Sequence, residues 1–229
     1  MKTLARVVCI LVVGILFSAT QASALIVAWD VAGTGSPSTA TLNATTINSG
    51  VTGTPTLSRV GVTGTATSNA YNSNNAWNNS STFTAGNKYI DFFITADGSD
   101  LLLADLEWAV TLSAGAPNQL TWGYSINGGS FTTTTVTMNS ASATSLTTWD
   151  YADATLPAGQ SVEFRMWCWG TGSASGGTGT ANGTARIANV TGNDLVVTYS
   201  IVNIPEPSTI TLIGFGLVGL LAFARRRKA

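Results

Sequence analysis

The sequence predicts an all-β fold, an antiparallel β-sandwich, and three observations carry the prediction. The first is composition. Of 229 residues only 9% are charged, where a soluble domain usually carries about 25%. The missing charge is replaced by Thr, Ser, Asn and Gly rather than by leucine-rich runs, a balance that suits short strands and polar turns. The second is period-2 alternation of apolar residues, which recurs along the middle of the chain. The third is that helical periodicity is confined there to one expected turn near residues 99–104.

Taken in order, the body opens on Trp29-Asp30. Residues 33–80 are rich in Gly, Thr, Ser and Asn and are expected to be loosely ordered. In Tyr89-Ile90-Asp91-Phe92-Phe93-Ile94, residues Ile90, Phe92 and Ile94 share a face. From Leu106 to Leu112 the buried set is Leu106, Trp108, Val110 and Leu112. Trp122, Tyr124 and Ile126 alternate before Asn127-Gly128-Gly129, a hairpin signal. Phe131 to Met138 is a threonine-rich strand. Val162, Phe164, Met166 and Cys168 alternate against Glu163, Arg165, Trp167 and Trp169. Residues 170–184 are low-complexity and expected to form a flexible loop. Leu195 to Ile201 closes the domain.

The two ends read as addresses. Lys2 and Arg6 precede an apolar run, Val7 to Phe17, and Ala22-Ser23-Ala24 is a small-x-small site. This is the pattern of a secretory signal peptide cut between Ala24 and Leu25, the work of the Sec translocon and signal peptidase. At the other end, Thr209 to Ala224 is apolar. Its 16 residues make about 24 Å of helix, slightly less than a bilayer core. Arg225, Arg226, Arg227 and Lys228 follow and, by the positive-inside rule, stay cytoplasmic while the body lies outside. Pro205 and Pro207 hold Glu206 on an extended segment just before the helix, where an enzyme can read it. The domains are therefore 1–24, a signal peptide; 25–203, the sandwich; and 204–229, a tail with a single transmembrane helix.

Pro205-Glu206-Pro207, the glycine-bearing apolar segment and the terminal cations occur in that order, and the tail closely resembles the PEP-CTERM sorting signal of bacterial exported proteins. The resemblance implies recognition by an exosortase, removal of the tail, only transient residence in the membrane, and a host that makes exopolysaccharide. Trp29-Asp30, the Tyr89–Thr95 strand and Val162–Gly170 also resemble, more loosely, the jelly-roll domains found in such proteins.

Several function classes are excluded or thinly supported. The chain has no His, so Ser-His-Asp catalysis, His-ligated zinc and the usual near-neutral proton shuttle are absent. Six of its ten cations lie in the two ends, leaving four in the body against ten acids, a net −6; nucleic acid needs the opposite balance. Cys168 is the lone cysteine of the body, Cys9 lying in the signal segment. No internal disulfide staples the domain, and Cys168 reads as a small buried apolar residue. Glu107 and Glu163 are the body's glutamates, and a glycosidase would need two acids about 5–10 Å apart. Asp97-Gly98-Ser99-Asp100 offers oxygens of the kind Ca2+ takes, but it lacks EF-hand spacing and reads first as a plain Asp-Gly turn.

The expected role is structural or interactive, in an exopolysaccharide matrix, with no catalytic residues and no resident cofactor. The alternative is a carbohydrate-binding module that lays Trp122, Tyr124, Trp167 and Trp169 against sugar C–H faces; core packing is the competing use of those rings. An acid-only glycan-active enzyme is the third reading.

Overall fold

The computed structural model describes residues 24–33, 41–74, 77–140 and 142–202, with the single positions Gly216 and Phe223. In chain order the strands are β1 Leu25–Trp29, β2 Thr41–Asn43, β3 Thr46–Ile47, β4 Val51–Thr52, β5 Thr56–Val60, β6 Thr63–Gly64, β7 Ala70–Asn74, β8 Tyr89–Ala96, β9 Leu101–Trp108, β10 Val110–Leu112, β11 Pro117–Ile126, β12 Thr132–Thr137, β13 Thr147–Leu156, β14 Ser161–Ser173, β15 Ala185–Ala188 and β16 Leu195–Ile201. Every ladder among them is antiparallel. A five-stranded sheet runs β13-β9-β16-β1-β3, and a four-stranded sheet runs β10-β15-β7-β6. A seven-stranded sheet runs β12-β11-β14-β8-β5-β2, with β4 also on β8.

Alternation builds the core. Ile90, Phe92 and Ile94 of β8 point inward with Val162, Phe164, Met166 and Cys168 of β14 and Leu120 and Trp122 of β11. The five-stranded sheet answers with Val27, Trp29, Leu103, Leu106, Trp108, Leu195, Val197 and Tyr199. Rings meet across the gap: Trp29 and Phe92 at 4.6 Å, Trp108 and Trp122 at 5.7 Å, Tyr151 and Phe164 at 5.9 Å. Two sheets with interdigitating inner faces are a sandwich. Ala109 stitches the four-stranded sheet to the rest. Its N–H donates to Asp194 O and its carbonyl accepts from Ala188 N, 2.8 and 2.9 Å.

Three expectations change. Residues 41–74, expected to be loose, hold six short strands, β2 to β7. The expected helical turn near 99–104 is instead a turn and a strand: Asp97–Asp100 carry the chain from β8 of the seven-stranded sheet to β9 of the five-stranded sheet, which begins at Leu101. Leu101 and Leu103 are buried while Leu102 is not, the mark of a strand. The segment 170–184 is a pinned loop rather than a free one. Strand β14 runs on to Ser173; Ala174 N donates to Ala116 O, Ser175 Oγ to Ala114 O and Thr180 N to Gly115 O, at 2.9 Å each.

The Asn127-Gly128 turn forms as the sequence predicts. Both residues take positive φ, 52° and 69°, and Gly129 N reaches Ile126 O at 3.0 Å. This is the primed turn that matches strand twist. Ala24 and Leu25 are described, and Leu25 starts β1. Ala22, Pro205, Glu206, Pro207, Arg225, Arg226, Arg227 and Lys228 lie outside the described residues. Among the described residues no helix is long and apolar enough to cross a membrane.

Candidate functional site

The outward residues of the seven-stranded sheet are set by its register. Arg165 of β14 stands opposite Asp91 of β8 and Gly123 of β11; Glu163 stands opposite Phe93 and Ser125; Trp167 stands opposite Thr121. On this face Trp167 is walled by Phe83, Tyr89 and Phe131, with ring centroids at 5.5, 6.1 and 5.3 Å. It keeps 2% of its surface exposed. Its ring packs close to Gly123, where a Cβ would sit 3.0 Å from Trp167 Cζ3 and from Thr133 Cγ2, tight enough that a larger residue would push the ring outward.

Arg165 continues the stack, its guanidinium carbon 4.2 Å from the centroid of Tyr89 and 4.6 Å from that of Phe131, cation–π distances. Its Nε also donates to Glu163 Oε1 in an ion pair. Beside them Asp91 is buried, and its Oδ1 has no hydrogen-bond partner. Burial pushes the Asp91 carboxyl above its ordinary range, the Glu163 charge adds to the rise, and Arg165 opposes it. An acid whose folded pKa is raised contributes stability that is full below about pH 4 and is lost as pH rises through the folded value. Asp91→Asn is therefore expected to raise the melting temperature at pH 7–8 and to flatten the fall in stability between pH 4 and 8. An Asp91→Asn protein less stable than the parent at pH 8 would refute this.

The chain between β7 and β8 returns over β14 and forms a wall. Asn78 N donates to Cys168 O at 3.3 Å and Gly170 N to Asn78 O at 3.1 Å. A depression of about 250 Å³ opens between this wall and the sheet, lined by Asn78, Phe83, Asn87, Lys88, Trp167 and Trp169 among others. Trp169 is half-buried. Its Nε1 donates to Thr121 Oγ1 at 2.8 Å and its ring meets Phe83 at 5.7 Å. An aromatic wall with amides and an ammonium at its edge can hold a polyhydroxylated ring: apolar face on the aromatics, hydroxyls on the amides.

The four aromatics predicted to act together are divided. Trp122 pairs in register with Met166 and is wholly buried between the sheets. Tyr124 also faces inward, 5.1 Å from Tyr151 and 6.2 Å from Phe164. Neither shares the face of Trp167 and Trp169. The two glutamates are apart too. Glu107 is on β9 of the five-stranded sheet and accepts from Thr148 Oγ1, whereas Glu163 is on the outer face of the other sheet. In the Asp97–Asp100 turn, Asp100 Oδ1 accepts from Ala158 N at 2.8 Å. Among the described residues no group of three or more His, Cys, Asp or Glu gathers as a metal site would require. Cys168 is a buried free thiol whose Sγ lies 3.3 Å from Pro117 O; burial pushes its pKa far up, the condition of an inert cysteine.

Sequence reasoning missed Asp91, Phe83, Tyr89, Lys88 and Phe131. Asp91 was visible as the outward acid of the Tyr89–Ile94 alternation. The other four needed the register of β8 and β11 on β14, or the path of the crossing chain.

No curated protein matches this chain. Among solved structures, the crystal structure of a Podospora anserina GH26-CBM35 β-(1,4)-mannanase matches with 12% identity and a TM-score of 0.28. The match covers 67% of this chain and 29% of that one. The model of the PEP-CTERM protein-sorting motif matches residues 203–228, the segment that begins immediately after Val202, whose N–H ties the end of the sandwich to Asp100 O at 2.9 Å. A motif of this kind implies export and processing by an exosortase. This is a chain in which an all-β sandwich is followed directly by a PEP-CTERM sorting motif.

Proposed function

We propose that this protein is exported with cleavage after Ala24, held in the membrane by Thr209–Ala224, and freed of its tail by an exosortase that reads Pro205-Glu206-Pro207. The sandwich then serves the cell envelope or the exopolysaccharide matrix as a non-catalytic structural or interaction module. The observation that carries this reading is the sorting motif at residues 203–228. Supporting the non-catalytic role, Glu107 and Glu163 stand on different sheets, and burial makes Cys168 a poor nucleophile. Intact mass and terminal sequencing of protein from its native host test the reading. The expected product starts at Leu25 and ends near Glu206; a product that keeps Arg225 to Ala229 refutes the processing step.

A second reading is favoured by the depression beside Trp169. Its volume of about 250 Å³ falls just below the roughly 300–1,000 Å³ of drug-sized pockets. It suits one ring of a glycan whose remainder lies outside. Trp169→Ala is expected to weaken saturable glycan binding about tenfold, the ~1.4 kcal/mol scale of an aromatic contact. Binding by the parent on a glycan array that is unchanged in Trp169→Ala would place the site elsewhere.

A further inference from the structure

The antiparallel pairing of β1 and β16 sets Leu25 opposite Tyr199, and Ile201 lies opposite Leu101, itself opposite Leu156. The segments that flank the sandwich thus leave from one pole. That pole is knitted together. Asp97 N donates to Gly50 O at 2.8 Å, Ala158 N to Asp100 Oδ1 at 2.8 Å, and Tyr199 Oη to Ser49 O at 2.9 Å. Asn127 N donates to Ser161 O at 2.9 Å, which brings the β11–β12 turn to the same end. The exposed residues of these turns are small, polar or acidic: Ser49, Asp97, Asn127, Ser130 and Ala158, with Pro157 and the glycines at 98, 128, 129 and 159. These turns contain no Lys or Arg, and the one large apolar side chain among them, Phe131, is half-buried against Trp167 and Arg165.

The tether is short. Six residues lie between Val202 and Thr209, which leaves at most about 25 Å of chain from one to the other. The ten residues of β11 run from the far end to this pole, about 33 Å. The tether is shorter than the body, so the body cannot turn its far end to the bilayer.

We propose that this pole faces the lipid surface while the tail is in place, held there by the tether alone, and that the turns have no affinity for lipid of their own. This rests on the reading of the tail as a membrane-inserted segment. Two acids and no cation cannot grip an anionic surface, and small polar turns cannot bury apolar area in the interface. Cutting the tail therefore frees the whole sandwich rather than leaving it adsorbed.

The test uses the exported, tail-bearing chain in vesicles of phosphatidylcholine and phosphatidylglycerol, with quencher on the lipid headgroups. A fluorophore is placed at Ala158→Cys, or independently at Ser130→Cys, and compared with Ala114→Cys at the far end; native Cys168 is buried. Quenching several-fold stronger at Ala158 and Ser130 than at Ala114 is expected, and a 12-residue Gly-Ser insert after Val202 should remove most of the difference. Equal quenching at the two ends, or stronger quenching at Ala114, overturns the orientation. Quenching at Ala158 that survives the insert overturns the tether-only attachment. A chain that never associates with the vesicles overturns the membrane-inserted tail and the proposal with it.

Discussion

Phe164→Ala is expected to cost about 3–5 kcal/mol of folding free energy, the range for emptying a buried phenylalanine site. Phe164 is wholly buried on β14, an interior strand of the seven-stranded sheet. It stacks on Phe92 at 4.9 Å with 14° between the rings, and it meets Tyr151 of the opposite sheet at 5.9 Å. Truncation therefore opens a cavity at the centre of the sandwich, bounded by sheets that cannot collapse into it. Native stability is typically only about 5–15 kcal/mol, so the variant should unfold at markedly lower denaturant with little change in m-value. Phe93→Ala is the control. Phe93 is the neighbouring strand's outward residue and is 50% exposed; its loss should stay within about 0.5 kcal/mol. Equal effects at the two positions would mean that the inward and outward faces of these strands have been assigned wrongly.

The second large effect is expected at Asp194, which is fully buried in the turn before β16. Its Oδ2 accepts from Val31 N at 2.7 Å and its Oδ1 from Val190 N at 2.6 Å. One side chain thus ties the exit of the first strand to the approach of the last. Asp194→Ala strands a buried N–H, that of Val31, and a part-buried one, that of Val190; a buried group left unpaired costs roughly 1–3 kcal/mol, and the variant should be destabilised by about 3 kcal/mol. Asp194→Asn keeps one acceptor oxygen and should cost about half as much. Denaturant unfolding in which Asp194→Ala is as stable as the parent would show that neither bond matters. Burial raises the Asp194 pKa despite those two donors, as it raises that of Asp91. The parent should accordingly lose stability as pH climbs from about 4 through the raised values.

The inward faces of β8, β9, β11, β14 and β16 were legible because burial on one side of a strand leaves a period of two in the sequence. Phe164 and Cys168 were placed correctly by that period alone. It fails where the backbone inserts extra residues. Strand β13 pairs Asp150 with Asp105 but Ala154 with Leu103, and Asp153 sits at φ 45°. Such a bulge shifts which residues face the core, and no run of alternation marks Thr147–Leu156. Strands of two or three residues, such as β3 and β4, are too short to show any period. The site was half legible for a related reason. Trp167 and Trp169 share a face by parity, which sequence supplies. Phe83 reaches them from more than 80 residues earlier, and the division of Trp122 from Trp167 depends on how β11 registers on β14.

The pairing of β1 with β16 also governs when the domain can fold. Contacts between residues some 170 positions apart close a very long loop, and topologies dominated by such contacts fold slowly. Strand β16 lies between β1 and β9 in its sheet, so that sheet is split until the last strand arrives. A chain crossing a membrane from its N-terminus would thus remain incomplete, and competent for translocation, until Leu195–Ile201 emerged. By then the apolar tail would already be in the channel, and the final strand would dock beside the membrane that the tail had just entered.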